Sequence, residues 1–197
     1  MLASNVKNTG KTLAALIYFL AKNPDKQQCL REEAFKNFPE KKSPVTKEVF
    51  NKSPYLKAVI KESNRIALIA IGTARITVKD MVLGGHKIPK STDIIAMHII
   101  SANSELFKVA EKLIPERWLR TTENEYSAKH VHPFAYMPFG FGPRSCIGKR
   151  VANLELELDL ARIIRNFELS WHHEDMQFSG NLIYDITNLL KVGVKEF

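Results

Sequence analysis

The ten residues Phe139–Gly148 read FGFGPRSCIG, and they decide how the rest of the chain is read. Cys146 lies in a stretch punctuated by Gly140, Gly142 and Gly148, and an apolar pattern of helical period begins directly after it. Glycine carries no Cβ and tolerates positive φ, so such a backbone can fold tightly and approach a flat ligand closely. Backbone N–H groups of the turn can donate to the sulfur, and the N-terminus of the following helix favours negative charge there. The arrangement suits a thiolate held outward toward a metal. Taken without its neighbours, the same cysteine also fits a small apolar filler beside a turn.

The order of residues around Cys146 separates these two readings. It resembles the haem-binding signature of the cytochrome P-450 family: an aromatic, two residues, Gly, one residue, Arg, one residue, Cys, one residue, Gly. Phe139, Gly142, Arg144, Cys146 and Gly148 fill those slots, and Gly140 lies among them. The resemblance implies haem as cofactor, with Cys146 as the axial ligand of its iron. It also implies a mainly α fold with small β-sheets, the C-terminal portion of the cytochrome P-450 fold, spanning residues 1–197 as part of a single domain. The activity implied is that of a haem-thiolate monooxygenase, inserting one oxygen atom into a lipophilic, sterol-like substrate.

Composition is compatible with this. A chain of 197 residues, 45% hydrophobic and 25% charged, can bury a core. Its two cysteines, Cys29 and Cys146, make no disulfide framework, and Cys29 in KQQCLREE reads as an incidental thiol on a charged helix. No apolar run reaches the roughly 18–20 residues of a membrane span; LAALIYFLA (Leu13–Ala21) reads as a buried helix. The start shows neither a signal peptide nor an Arg-rich transit pattern. The net charge of +8 would suit nucleic acid, an anionic membrane or an acidic protein. No nucleic-acid motif accompanies it, which leaves the other two.

Along the chain, helical periodicity through Ala21 stops at Asn23-Pro24, because proline disfavours helix in the residue before it. A polar helix follows from about Asp25 to Phe35, then a loop from Lys41 to Pro44 and a short helical turn within Val45–Asn51. Ser53-Pro54 opens a helix carrying YLKAVIKESNRIA. After Gly72, TARITVKD, MVLGGHKIP and STDIIAMHII read as short strands, and Ser101–Ser127 reads as mostly irregular. A helix is expected from Ile147 to about Arg165, and small hairpins from Phe167 onward. The histidines His86, His98, His130, His132, His172 and His173 lack ligand spacing and are expected at surface or strand positions.

Glu62 and Arg65 stand three apart on a helix and can pair, and Arg117 follows in PERW. The family resembled has this order of Glu-x-x-Arg helix, Pro-x-Arg segment and cysteine loop. The resemblance implies a buried charge-assisted triad of Glu62, Arg65 and Arg117, structural in role. It also implies that Arg75 and Arg144 pair with the haem propionates, for which guanidinium is geometrically suited. Lys57 and Lys61, four apart in LKAVIKE, with Lys149 and Arg150, resemble the mitochondrial branch of the family, where such lysines dock an acidic iron–sulfur ferredoxin. A mitochondrial location, on the matrix side of the inner membrane, is implied with that branch; the endoplasmic reticulum is the alternative.

Two departures limit the carry-over. MLASNVKNTGKTL runs parallel to the family's Ala/Gly-Gly-x-Asp/Glu-Thr-Thr region, with Thr9 and Thr12 in place. Asn5 occupies the glycine slot, Lys7 the acid slot and Asn8 the alcohol slot. In the family the acid and alcohol relay protons toward bound dioxygen, so Asn8 and Thr9 become the expected catalytic positions, with Asn8 able to organise a water. The chain also corresponds to less than half of a usual family member, and Met1 falls within an expected helix. A fragment that binds haem or ferredoxin without turnover is therefore the alternative, as is an isomerase or dehydratase on the same fold.

Overall fold

The computed structural model describes residues 2–102, 105–120, 124–180 and 183–197. Helix α1 (Leu2–Lys22) ends where expected. The Asn23 amide donates to Phe19 O at 2.7 Å, and Pro24 then serves as the first residue of α2 (Pro24–Asn37). Proline fits there because its missing N–H would have no intrahelical partner. After the short α3 (Lys47–Asn51), Pro54 opens α4 (Pro54–Ile66) in the same way. The α4 N-terminus is capped from a distance. Glu33 on α2 accepts from Tyr55 N and Leu56 N, each at 2.8 Å, while Ser53 Oγ turns back to Val49 O. Those two donors would otherwise lack intrahelical partners.

The last long helix, α6 (Lys149–Asn166), crosses α1, α2 and α4. Leu16 and Leu20 of α1, Leu30 of α2, Val59 of α4, and Leu156, Leu160 and Ile164 of α6 form a core closed to solvent. A fully buried Leu or Ile contributes roughly 1.5–3 kcal/mol, so this cluster is the main anchor of α6 and of the loop that precedes it. Gln27 is a buried polar exception whose amide bonds Leu20 O, Leu169 O and Leu169 N, joining α1 and α2 to the tail.

Between α4 and α6 the chain makes β1 (Gly72–Ile76), β2 (Met81–Leu83), β3 (His86–Ile88), β4 (Asp93–Met97) and the one-turn α5 (His98–Ala102). The β1–β4 ladder is antiparallel and runs from Gly72 opposite Met97 to Ile76 opposite Asp93. A Cβ on Gly72 would lie 2.5 Å from Ala96 O, so this close pairing requires glycine. The β2–β3 hairpin turns on Gly84 and Gly85, both at positive φ. In the tail, β5 (Phe167–Ser170) pairs with β8 (Gly193–Glu196), enclosing the small β6–β7 hairpin (Phe178–Ser179 with Asp185–Ile186).

The mainly helical reading with small sheets holds. Two expectations need correction. The strand read through STDIIAMHII ends at Met97, opposite Gly72, and His98–Ala102 turns into α5, with Ile99 N still donating to Ile71 O at 3.1 Å. His98 is at neither the surface nor a strand position; it is 6% exposed.

Candidate functional site

The loop Phe139–Gly148 is shaped by main-chain hydrogen bonds. Gly140 N donates to Met137 O at 3.0 Å, Ser145 N to Gly142 O at 3.0 Å, and Cys146 N to Phe139 O at 2.9 Å. Gly140 and Gly142 stand at φ 70° and 73°, in the left-handed region that favours glycine. A Cβ on Gly140 would also meet Thr73 Cγ2 at 3.6 Å. Gly148 precedes the first turn of α6, and Ala152 N returns to its carbonyl at 2.9 Å. The Cys146 thiol is exposed. Among the described residues no N–H donates to its sulfur, contrary to the expectation for the turn; the cysteine's own N–H closes the loop on Phe139 instead.

Cys146 opens onto a cavity of about 270 Å³. Asn8, Thr9 and Thr12 line it from α1, Gly72 and Thr73 from β1, and Phe139, Gly140, Arg144 and Gly148 from the cysteine loop. The structure therefore brings the expected cysteine-loop residues and both α1 positions to one space. The volume lies below the roughly 300–1,000 Å³ of typical ligand pockets, and the cavity opens outward, so these residues supply part of a wall rather than an enclosure. Lys7 is exposed and does not line it, and the side chain of Asn5 lies outside the described residues. Arg75 joins through a neighbouring cleft, which it lines together with Arg144 and Asp93. Arg75 bonds Ala74 O at 2.8 Å, and Arg144 has no hydrogen bond or ion pair among the described residues. A larger open cleft of about 860 Å³ lies between the end of α1 and residues 111–126; none of the expected site residues lines it.

Behind this wall, Glu62, Arg65 and Arg117 meet out of solvent. Glu62 Oε1 accepts from Arg65 Nη2 (2.9 Å), Arg117 Nε (3.0 Å) and Ile114 N (3.1 Å). Glu62 Oε2 accepts from Arg65 Nε at 3.0 Å and Trp118 Nε1 at 2.9 Å. The arginines also hold main-chain carbonyls: Arg65 those of Ala102 (2.9 Å), Ala110 (2.6 Å) and Lys112 (3.4 Å), Arg117 those of Val109 (2.7 Å) and Tyr126 (3.5 Å). Trp118, beside Arg117 in PERW, was not singled out by sequence reading. Its ring packs at a 45° tilt against Tyr136, 4.7 Å between centroids. Burial and the nearby Glu62 carboxylate raise the Tyr136 hydroxyl above the usual phenol range.

The basic residues gather on one side. Lys61 is exposed, with Nζ 5.7 Å from the Trp118 ring, and Lys149 Nζ lies 5.8 Å from the Phe139 ring. Partial burial, then the charges of Arg120, Lys57 and Lys149, pull the Lys61 ammonium below the usual lysine range. Arg120 thus belongs to the cluster although sequence reading did not select it. Lys57 is half-buried, and Arg150 is exposed on the first turn of α6.

Among the described residues no three His, Cys, Asp or Glu side chains gather as a metal site, so an iron held here would depend on the Cys146 sulfur and a group that brings its own ligands. The residues fit haem by the chemistry of the donor set: one open thiol, glycines that admit a flat ring, and two guanidiniums beside it for carboxylate arms.

The mainly α fold and the cysteine-centred wall fit the class of haem-thiolate proteins. The model of the cytochrome P450 family matches residues 1–186, and the chain belongs to that family. It is 41% identical over 198 aligned residues to cytochrome P450 CYP12A2 of Musca domestica, covering 96% of this chain and 37% of the relative. It is 38% identical over 190 residues to the mitochondrial cytochrome P450 12b1 of Drosophila acanthoptera, covering 93% of this chain and 36% of that protein. The chain therefore spans just over a third of the length of these relatives. Haem is the family's cofactor, and among the described residues no helix is long and apolar enough to cross a membrane.

Proposed function

We propose that residues 1–197 are the C-terminal portion of a single cytochrome P450 domain, acting in mitochondria as part of a haem-thiolate monooxygenase on a lipophilic substrate. The observation that carries this reading is the shared cavity of Cys146, Arg144, Phe139, Asn8 and Thr9. Bound haem would supply the activation of dioxygen and the insertion of one oxygen atom into substrate. Cys146, as thiolate, would supply the sulfur that holds the iron, and Gly140, Gly142 and Gly148 would let the loop lie close to a flat ring. Arg75 and Arg144 accept the carboxylate arms by paired N–H donation. Asn8, beside Thr9 on the α1 side, would organise a water through its amide. The face of Lys57, Lys61, Lys149, Arg150 and Arg120 suits an acidic iron–sulfur ferredoxin, which it would steer by charge. The mitochondrial location and the ferredoxin follow from the mitochondrial relative and from this basic face.

The test is spectroscopic. Loaded with haem, reduced and exposed to carbon monoxide, the chain should give a strongly red-shifted Soret band, and Cys146→Ser should lose it. Because the thiol is exposed and makes no hydrogen bond among the described residues, the serine variant should melt within about 1 °C of wild type without haem. A wild-type protein with no red-shifted band would overturn the proposal. One observation favours a second reading for this chain alone: among the described residues no carboxylate lines the cavity, and Lys7 and Asn8 occupy the acid and alcohol slots. On that reading the isolated chain binds haem without turnover, and ferredoxin-driven product formation by the loaded chain would exclude it.

A further inference from the structure

We propose that His98 is a positioning residue, tying the cysteine loop to β1 and thereby setting Cys146 against Arg75. The inference rests on the haem-thiolate reading for its functional meaning. Its structural part stands on the ring's contacts alone. His98 is 6% exposed and lines the same cavity as Cys146. Its Nε2 lies 2.9 Å from Thr73 Oγ1, and its Nδ1 lies 3.2 Å from Met137 O.

The partners assign the proton. A carbonyl only accepts, so Nδ1 carries the hydrogen toward Met137, and Nε2 accepts from the Thr73 hydroxyl. Met137 O also accepts from Gly140 N at 3.0 Å, and Phe139 O accepts from Cys146 N at 2.9 Å. The ring therefore grips the loop where two successive main-chain bonds lead to the cysteine. On the other side, Thr73 and Arg75 are two apart on β1 and project to the same face. One imidazole thus fixes the spacing between the sulfur and the guanidinium of Arg75. A filler of the same size could occupy the space but could not hold both elements.

The experiment compares His98→Leu with His98→Asn, whose amide places a donor near the position of Nδ1. In the haem-free chain, hydrogen exchange of the Cys146 amide reads the loop directly. His98→Leu should speed it about thirtyfold, the ratio expected for roughly two net hydrogen bonds. Amides of the β2–β3 hairpin should stay at the wild-type rate, and His98→Asn should recover most of the Cys146 protection. After haem loading and reduction under carbon monoxide, the ratio of red-shifted to unshifted Soret absorbance should fall several-fold in His98→Leu and be largely restored in His98→Asn. Wild-type exchange at Cys146 in His98→Leu would overturn the proposal. So would a uniform acceleration of all amides that is equal in both variants. If wild type itself lacks the red-shifted band, the haem reading fails, while the Cys146 exchange rate still decides what His98 does.

Discussion

Replacing Glu62 by Gln tests whether the arginine cluster carries the fold around the cysteine loop. The substitution keeps the shape and removes the charge. Five donors converge on the carboxylate, and the amide of Gln offers one acceptor where two are needed. Arg65 and Arg117 are then left as cations at 0% and 1% exposure. Breaking a buried ion pair by removing one partner costs about 3–5 kcal/mol, because the surviving charge is desolvated without compensation. At roughly 2–4 °C per kcal/mol for a chain of this size, the melting temperature should fall by about 6–20 °C. Thermal and urea unfolding of the haem-free chain measure this, with the urea slope reporting any change in compactness. Arg65→Lys is the companion variant: it keeps the charge but loses the fork that reaches Glu62, Ala102 and Ala110, and should fall between the two. Glu196→Gln, at a pair with Lys41 exposed on both sides, should shift the midpoint by no more than about 2 °C. If Glu62→Gln melts within about 2 °C of wild type with an unchanged slope, the electrostatic account of the cluster is wrong.

Two further outcomes follow from features away from the cysteine. Gly10 lies exposed within α1, and a Cβ there would meet nothing within 4 Å, so Gly10→Ala should stabilise by about 0.5–1 kcal/mol, read as a higher melting temperature. Lys11 bonds Asp185 at 2.9 Å and holds its carboxyl below the usual aspartate range. A carboxyl with a depressed folded pKa stabilises above its unfolded pKa, and that contribution is lost as pH falls through the folded value. Asp185→Asn should therefore melt below wild type near neutral pH, and the two melting curves should converge once the pH has fallen through that depressed folded value.

Proline-marked boundaries were legible in the sequence because their cause is local. Asn23-Pro24 and Ser53-Pro54 restrict their own dihedrals, and both helices start there. The Gly84-Gly85 turn was legible for the same reason. Contacts between distant residues were not. Ser53 looks like the cap of α4, yet Glu33 performs that task from another helix. The apolar, β-branched run Ile99–Ile100 reads as strand, yet the ladder with β1 stops at Met97 and the chain coils from His98. β5 finds its partner at the far end of the tail rather than in a local hairpin. In the site, the cysteine loop announced itself through spacing, and Trp118 could have been found as the indole donor beside Arg117. No pattern of spacing foretold that His98 would meet Thr73 and Met137.

Arg65 and Arg117 hold Ala102, Val109, Ala110, Lys112 and Tyr126 through carbonyls of the main chain. Every amino acid offers the same carbonyl, so this clasp places no demand on the side chains of Ala110 or Lys112. It does demand that each carbonyl arrive at its guanidinium, and Val109 reaches Arg117 from a φ of 53°, a conformation a β-branched residue adopts only under constraint. At Ala110 and Lys112 the clasp is therefore free in composition and fixed in position. Side-chain substitutions at Ala110 or Lys112 should be absorbed, whereas a single inserted or deleted residue between Val109 and Lys112 would pull carbonyls from two buried cations at once.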